Sequence, residues 1–215
     1  MKKKILIFSA GPAGREVFQL ISSINKFKDE WEVIGYVDED QNKIDKKIDN
    51  VVVYSNKNKP KTTDIYAVCG VRDNKIRKKI YENEIIKFNY KTCNLIHPLN
   101  EIPNCLKTGK GNIIFGNVHI SFEVKINNFS IFSNFCDLGH NLVSEDYITL
   151  MPTVTIGGNC ELGTETFIGS GANIREGIVI GKGCNIGMGS IVTSNIKSDT
   201  STFDLPRKIT EMKKK

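Results

Sequence analysis

None of the six cysteines stands in a CxxC pair, which removes the common zinc and dithiol motifs. Histidine is scarce, three in 215 residues, so imidazole chemistry must rest on His97, His119 or His140. No apolar run approaches the roughly 20 residues of a membrane-spanning helix. Behind the basic start, the apolar stretch from Ile5 to Phe8 is too short for the core of a secretory leader. We therefore expect a cytoplasmic protein with reduced thiols and no membrane partner. The net charge is +6, yet basic residues are scattered, with lysine runs only at Lys2 to Lys4 and Lys213 to Lys215. A nucleic-acid footprint needs a basic face with interleaved aromatics, and none is legible. A mildly basic surface still favours anionic ligands such as nucleotide phosphates.

What is present divides the chain near residue 94. Up to that point strand and helix signals alternate, which implies a small parallel sheet. Lys4 to Ser9, Glu32 to Asp38, Val51 to Ser55 and Ile65 to Gly70 read as strands. Val17, Leu20, Ile21, Ile24 and Phe27 fall on one helical face, and Asp73 stands where a helix cap belongs. The first turn, Ser9 to Gly14, half matches the dinucleotide fingerprint, in which backbone N–H groups approach phosphate at a helix N-terminus. Ser9 replaces its first glycine, and Asp38 ends the second strand where an acidic residue could meet a ribose or a base. The sheet is too short for a full nicotinamide fold. These residues fit either a nucleotide-binding half or a tight turn without ligand.

From residue 95 the period changes to six. Every sixth position from Ile102 to Val192 is apolar except Thr108 and Ser144. Glycine often follows, as at Gly139, Gly157, Gly163, Gly169, Gly181 and Gly187, and small residues recur four places on, among them Cys136, Cys160 and Cys184. Period six is neither helical nor simple alternation. It is the repeat of a parallel β-helix, in which three hexapeptides close a triangular coil, the aliphatic residue fills the lumen and glycine relieves crowding at the corner. The evenly spaced cysteines then occupy small inward sites. His119, one residue before a lumen position, and His140, two residues after Leu138, should both point outward. Close to His140 the frame relaxes, with Ser144 in the lumen and Glu145 in a glycine place. Spacing alone allows His140 to be a surface residue or part of a site.

The unbroken hexads, with Ile5 to Val17, Gly35 to Asp40, Cys69 to Ile80, Asn94 to Pro98 and Leu205 to Ile209, resemble the hexapeptide-repeat sugar acetyltransferases. The similar branch includes sialic acid O-acetyltransferases and UDP-4-amino-sugar N-acetyltransferases. His140 lies twelve residues before Pro152, the spacing of that family's catalytic histidine. The resemblance implies a Rossmann-like nucleotide-sugar domain over 1–94 and a left-handed β-helix over 95–215. It also implies a homotrimer with sites between subunits, and acetyl-CoA or another acyl-CoA as co-substrate without metal. The reaction implied is N-acylation of a UDP- or dTDP-linked 4-amino sugar in bacterial surface-glycan synthesis. By the same resemblance Thr149, Gly158, Ser170 and Gly171 line the pantetheine groove, and Ala10, Gly11, Asp38 and Gly70 hold the nucleotide sugar. Three positions differ from the family: Ala13 and Thr149 replace histidines, and Asn141 replaces an acidic residue. His140 would be the general base, and with an amide at 141, Asp137 becomes the carboxylate expected to orient it. The alternatives are acylation of a sialic-acid-type hydroxyl and a non-catalytic trimeric scaffold. Ser9 and the short sheet argue against a nicotinamide oxidoreductase.

Overall fold

The computed structural model describes residues 2–202, so the expected closing strand from Leu205 to Ile209 lies outside the described residues. In the N-terminal part, β1 (Lys3–Phe8), β2 (Trp31–Val37), β4 (Val51–Tyr54) and β5 (Tyr66–Cys69) run parallel. The short β3 (Lys47–Ile48) pairs antiparallel with β4. The order is β3-β4-β2-β1-β5. The two-residue β3 carried no pattern long enough to be read from the sequence.

Helix α1 (Pro12–Phe27) buries Val17, Leu20 and Ile21, whereas Phe27, its last residue, is exposed. Before α2 (Asn74–Ile80), Asp73 accepts the Ile76 N–H at 2.8 Å, satisfying one of the orphan donors of the first turn. A π-helical turn, Tyr81–Ile86, continues from α2.

The rest is a left-handed parallel β-helix of two-residue strands. Side one runs from Leu95–Ile96 through Ile113–Ile114, Ile131–Phe132, Thr149–Leu150, Phe167–Ile168 and Asn185–Ile186 to Ser201–Thr202. Side two begins at His119–Ile120 and includes Asp137–Leu138; side three begins at Lys107–Thr108 and includes Val143–Ser144. Strands up to Val192 pair in steps of eighteen residues, as in Asp137 with Thr155, whereas Asn185–Ile186 pairs with Ser201–Thr202 sixteen residues on. The lumen residues from Ile114 to Val192 are buried, including Ser144, whose hydroxyl reaches only the Glu145 carbonyl at 3.4 Å.

One expectation needs correction. Ile102 lies outside the ladder and is 42% exposed; Thr108, in the first strand of side three, is exposed too. The coil starts instead at Leu95–Ile96, and this first turn has no coil above to cover it. The glycines after the aliphatic positions relieve crowding, as expected. A Cβ on Gly139, Gly157 or Gly163 would stand 2.5–2.6 Å from a backbone nitrogen of the next coil. The positive φ falls two residues later, at Asn117, Glu123, Asn141 and their equivalents.

Glu145, in one of the glycine places, has its own use: its Oε2 accepts the N–H and hydroxyl of Thr164 in the next coil, both at 2.7 Å. Those donors hold the carboxyl below its ordinary range.

The N-terminal part docks on side one and on the corner between sides three and one. Ile113, Phe115 and Ile131 share a core with β1 and α1. Arg77 is fully buried and, among the described residues, pairs with no carboxylate. It donates to the carbonyls of Val71, Arg72, Phe129 and Ile148 at 2.8–3.1 Å, the last two on the coil. Burial pulls its guanidinium down to about 10. An Arg77→Ala variant leaves these carbonyls unpaired across the junction and should lose about 3 kcal/mol or more in chemical unfolding. A Glu145→Gln variant should lose about 0.5–1 kcal/mol at neutral pH. Because the folded carboxyl is depressed, that gap is complete above the unfolded value of about 4.3 and closes as pH falls through the folded one. Urea titrations across acid pH check it.

Candidate active site

Stacking in steps of eighteen fixes what surrounds His140. One coil earlier stands Phe122, whose ring lies parallel to the imidazole at 7° with centroids 5.2 Å apart. One coil later stands Gly158, where a Cβ would come within 2.4 Å of His140 Nε2. The imidazole is therefore clamped at the corner between sides two and three, half-buried and outward as expected. Its Nδ1 lies 2.9 Å from Asn141 Oδ1, and Asn141 Nδ2 donates to Glu123 Oε2 at 2.7 Å.

Asp137 does not orient His140. It sits on a strand of side two, and its ladder neighbour is His119, whose Nδ1 approaches Asp137 Oδ1 at 2.7 Å. Sequence reasoning missed Phe122 and Glu123. The signal was available, since both stand eighteen residues before His140 and Asn141. His97 takes a structural place, packed over Gly116 and accepting the Leu99 N–H at 3.3 Å, and burial lowers its pKa. Burial pushes the thiols of Cys69 and Cys136 up to about 12, which suits unreactive filling.

The expected groove residues separate. Gly158 underlies His140. Ser170 and Gly171 form the corner between sides one and two, where Gly171 has φ +70 and donates to the Pro152 carbonyl at 3.1 Å. These three flank side two. Thr149 does not: it lies on side one, fully buried beneath α2, its hydroxyl within hydrogen-bond distance of Arg72 O and Asn74 Oδ1, at 2.9 and 2.5 Å. Its hydroxyl belongs to the junction between the two parts, because side one is the docking face.

A concavity of about 420 Å³ opens at the C-terminal ends of β1, β2 and β5, where open α/β sheets bind ligands. Phe8, Ser9, Asp38, Val71, Ile76 and Ile80 line it, with Asn56 and Asn83. Ser9 holds a φ of +92, in the place of the missing fingerprint glycine, and its hydroxyl accepts the Gly11 N–H at 3.1 Å. Such strain in a non-glycine residue costs of order 1–3 kcal/mol and collects at ligand sites.

Of the four residues expected to hold a nucleotide sugar, only Asp38 lines this cleft. Asp38 Oδ2 accepts the Ala10 N–H at 2.7 Å, so Ala10 ties two strand ends together. Gly11 caps α1. Gly70 is a packing glycine, since a Cβ there would stand 2.5 Å from Gly14 Cα.

The chain matches known proteins in both parts. The family model of the PglD N-terminal domain matches residues 4–83. GDP-perosamine N-acetyltransferase from Escherichia coli O157:H7 is 27% identical over 113 residues, 53% of this chain. The match spans about half, 51%, of that relative's length. Two solved structures share the fold. One is the acetyltransferase domain of PglB from Neisseria gonorrhoeae FA1090 with acetyl coenzyme A, at TM-score 0.81 and 20% identity, covering 94% of this chain and 96% of that one. The other is PerB from Caulobacter crescentus with CoA and GDP-perosamine, at 0.81 and 19%, covering 97% of each. Residues 4–83 thus match the model of the PglD N-terminal domain, and the chain shares its overall fold with these two structures.

The clamp on His140 makes a prediction. Gly158→Ala should push the imidazole off Phe122, abolishing its ring-current shift in the NMR spectrum, while the melting temperature moves by only a few degrees.

Proposed function

We propose that this chain is an acyl-CoA-dependent N-acyltransferase that modifies the amine of a nucleotide-linked 4-amino-4,6-dideoxy sugar, with His140 as general base. The observation that carries the reading is His140 itself, an outward imidazole clamped between Phe122 and Gly158 at one end of an open coil side. The relatives add support: one is named for N-acetylation of GDP-perosamine, and the fold matches include complexes with acetyl-CoA or CoA.

The chemistry follows from the amine. Its nitrogen attacks the thioester carbonyl carbon, and the new C–N bond requires loss of a proton. His140 Nε2 takes that proton, the tetrahedral intermediate breaks its C–S bond, and the departing thiolate recovers a proton from the imidazolium. The product is an amide and free CoA. A base of this kind contributes about 10²- to 10⁴-fold.

The same reading requires more than one subunit. The cleft at the sheet ends belongs to a domain docked on side one, whereas His140 is at the corner of sides two and three. A six-residue coil side, up to about 20 Å long, separates that corner from the docked domain. A neighbouring copy on side two would bring its nucleotide cleft to His140. Side two and its flanks also collect exposed apolar residues, with Phe122 and Phe135 beside Met188 at 77% and Ile191 at 75% exposure. A homotrimer with the acyl-CoA arm between subunits, near Gly158, Ser170 and Gly171, accounts for both features.

The test is CoA release from acetyl-CoA with UDP-, dTDP- and GDP-linked 4-amino sugars, using the parent and a His140→Ala variant. We expect release with one amino sugar, and a variant that loses about 10²-fold or more in kcat at unchanged KM for acyl-CoA. Near-normal turnover by His140→Ala contradicts the mechanism. Release only with a sialic-acid hydroxyl would reassign the acceptor, and CoA binding without turnover would favour the scaffold.

A further inference from the structure

A general base works only if its accepting nitrogen is kept free of a proton. We propose that Glu123 is a positioning residue which, through the side-chain amide of Asn141, holds His140 in the tautomer protonated on Nδ1 and leaves Nε2 as the acceptor. The inference rests on the reading of His140 as the base of an acyl transfer.

The assignment follows from what each group can donate. The Glu123 carboxylate accepts and cannot donate, so the partner facing it at 2.7 Å is the NH2 end of Asn141. The amide's other end, facing His140 Nδ1 at 2.9 Å, is therefore its oxygen. That oxygen also only accepts, so Nδ1 must carry the hydrogen. Turning the amide over would set oxygen against carboxylate. The negative charge thus fixes the amide, and the amide fixes the imidazole.

The backbone holds the relay in place. Glu123 and Asn141 occupy equivalent left-handed positions, φ 56 and 57, one coil apart. The Asn141 N–H donates to the Phe122 carbonyl at 3.0 Å, and the Glu123 N–H donates to Cys105 Sγ at 3.2 Å. Phe122 and Gly158 fix the ring plane, so the amide has one orientation of the imidazole to meet. As Nε2 gains a proton, the imidazolium faces the oxygen end of a dipole whose other end rests on a carboxylate. A carboxylate one coil away thereby supplies, through an amide, the orienting role expected of Asp137.

The test reads the tautomer directly. In protein labelled with 15N-histidine, near pH 9 where imidazole is neutral, the His140 resonances are those absent from His140→Ala. We expect Nδ1 protonated and Nε2 bare. In Glu123→Gln, whose amide can either donate or accept, Asn141 is free to turn over. The other tautomer should appear, and kcat should fall about tenfold at constant KM for acyl-CoA, less than the roughly 10⁴ that a directly bonded carboxylate is worth. Adding Asn141→Asp to Glu123→Gln sets a carboxylate against Nδ1 and should restore both readouts.

A proton on Nε2 in the parent, an unchanged tautomer in Glu123→Gln, or a changed tautomer with full turnover would each overturn the proposal. The spectrum requires no turnover. A parent inactive on every acceptor but carrying the Nδ1 proton would sink the transferase reading and leave the tautomer assignment standing.

Discussion

Everything in the C-terminal half depends on one constraint: through the body of the coil, up to Val192, paired strands stand eighteen residues apart. Parallel ladders fix this register because the lumen residues must stack on their own kind, and a slip of one residue would turn aliphatics out and polar residues in. The same register places Phe122, His140 and Gly158 in one column, with Glu123 beside Asn141 in the next. The candidate site is thus built from three coils. No loop longer than a corner is needed, which suits a site that must be held rigidly.

The second constraint is the docking of the N-terminal part on side one. Arg77 shows how firm the junction is. A buried cation with only carbonyl partners is tolerated where several hydrogen bonds satisfy it at once, and two of its acceptors, Phe129 O and Ile148 O, belong to the coil. Thr149 and Asn74 close the same junction. Side one is thereby occupied, and side two keeps its exposed apolar residues. In the proposed trimer, this division leaves one face for the chain's own domain and one for a neighbour.

Much of this was legible in the sequence, for physical reasons. A lumen tolerates little but aliphatics, so period six is written plainly, and the alternating strands and helix of the first part carry their usual periods. Asp73 reads as a cap because its chemistry is local. What was missed depends on contacts between coils or between the two parts. Thr149 occupies an outward position like any other until the docked α2 covers it. Gly70 carries no local sign that α1 approaches it through Gly14. Asp137 is close to His140 in sequence, but successive residues of a two-residue strand and its corner point apart, and its partner is the ladder neighbour His119. Gly139, Gly157 and Gly163 were recognised as relieving crowding, while the positive φ belongs to positions such as Asn141, two residues later.

The central claim is that His140, clamped at the corner, faces the amine of a sugar whose nucleotide is held by another subunit. The most direct measurement is a crystal structure of the assembled protein with CoA and a nucleotide-linked 4-amino sugar. The account predicts the sugar nitrogen within about 3 Å of His140 Nε2, with the nucleotide in the cleft beside Ser9 and Asp38 of a different subunit. A sugar amine bound away from every His140, or a nucleotide and His140 supplied by the same chain, would contradict it.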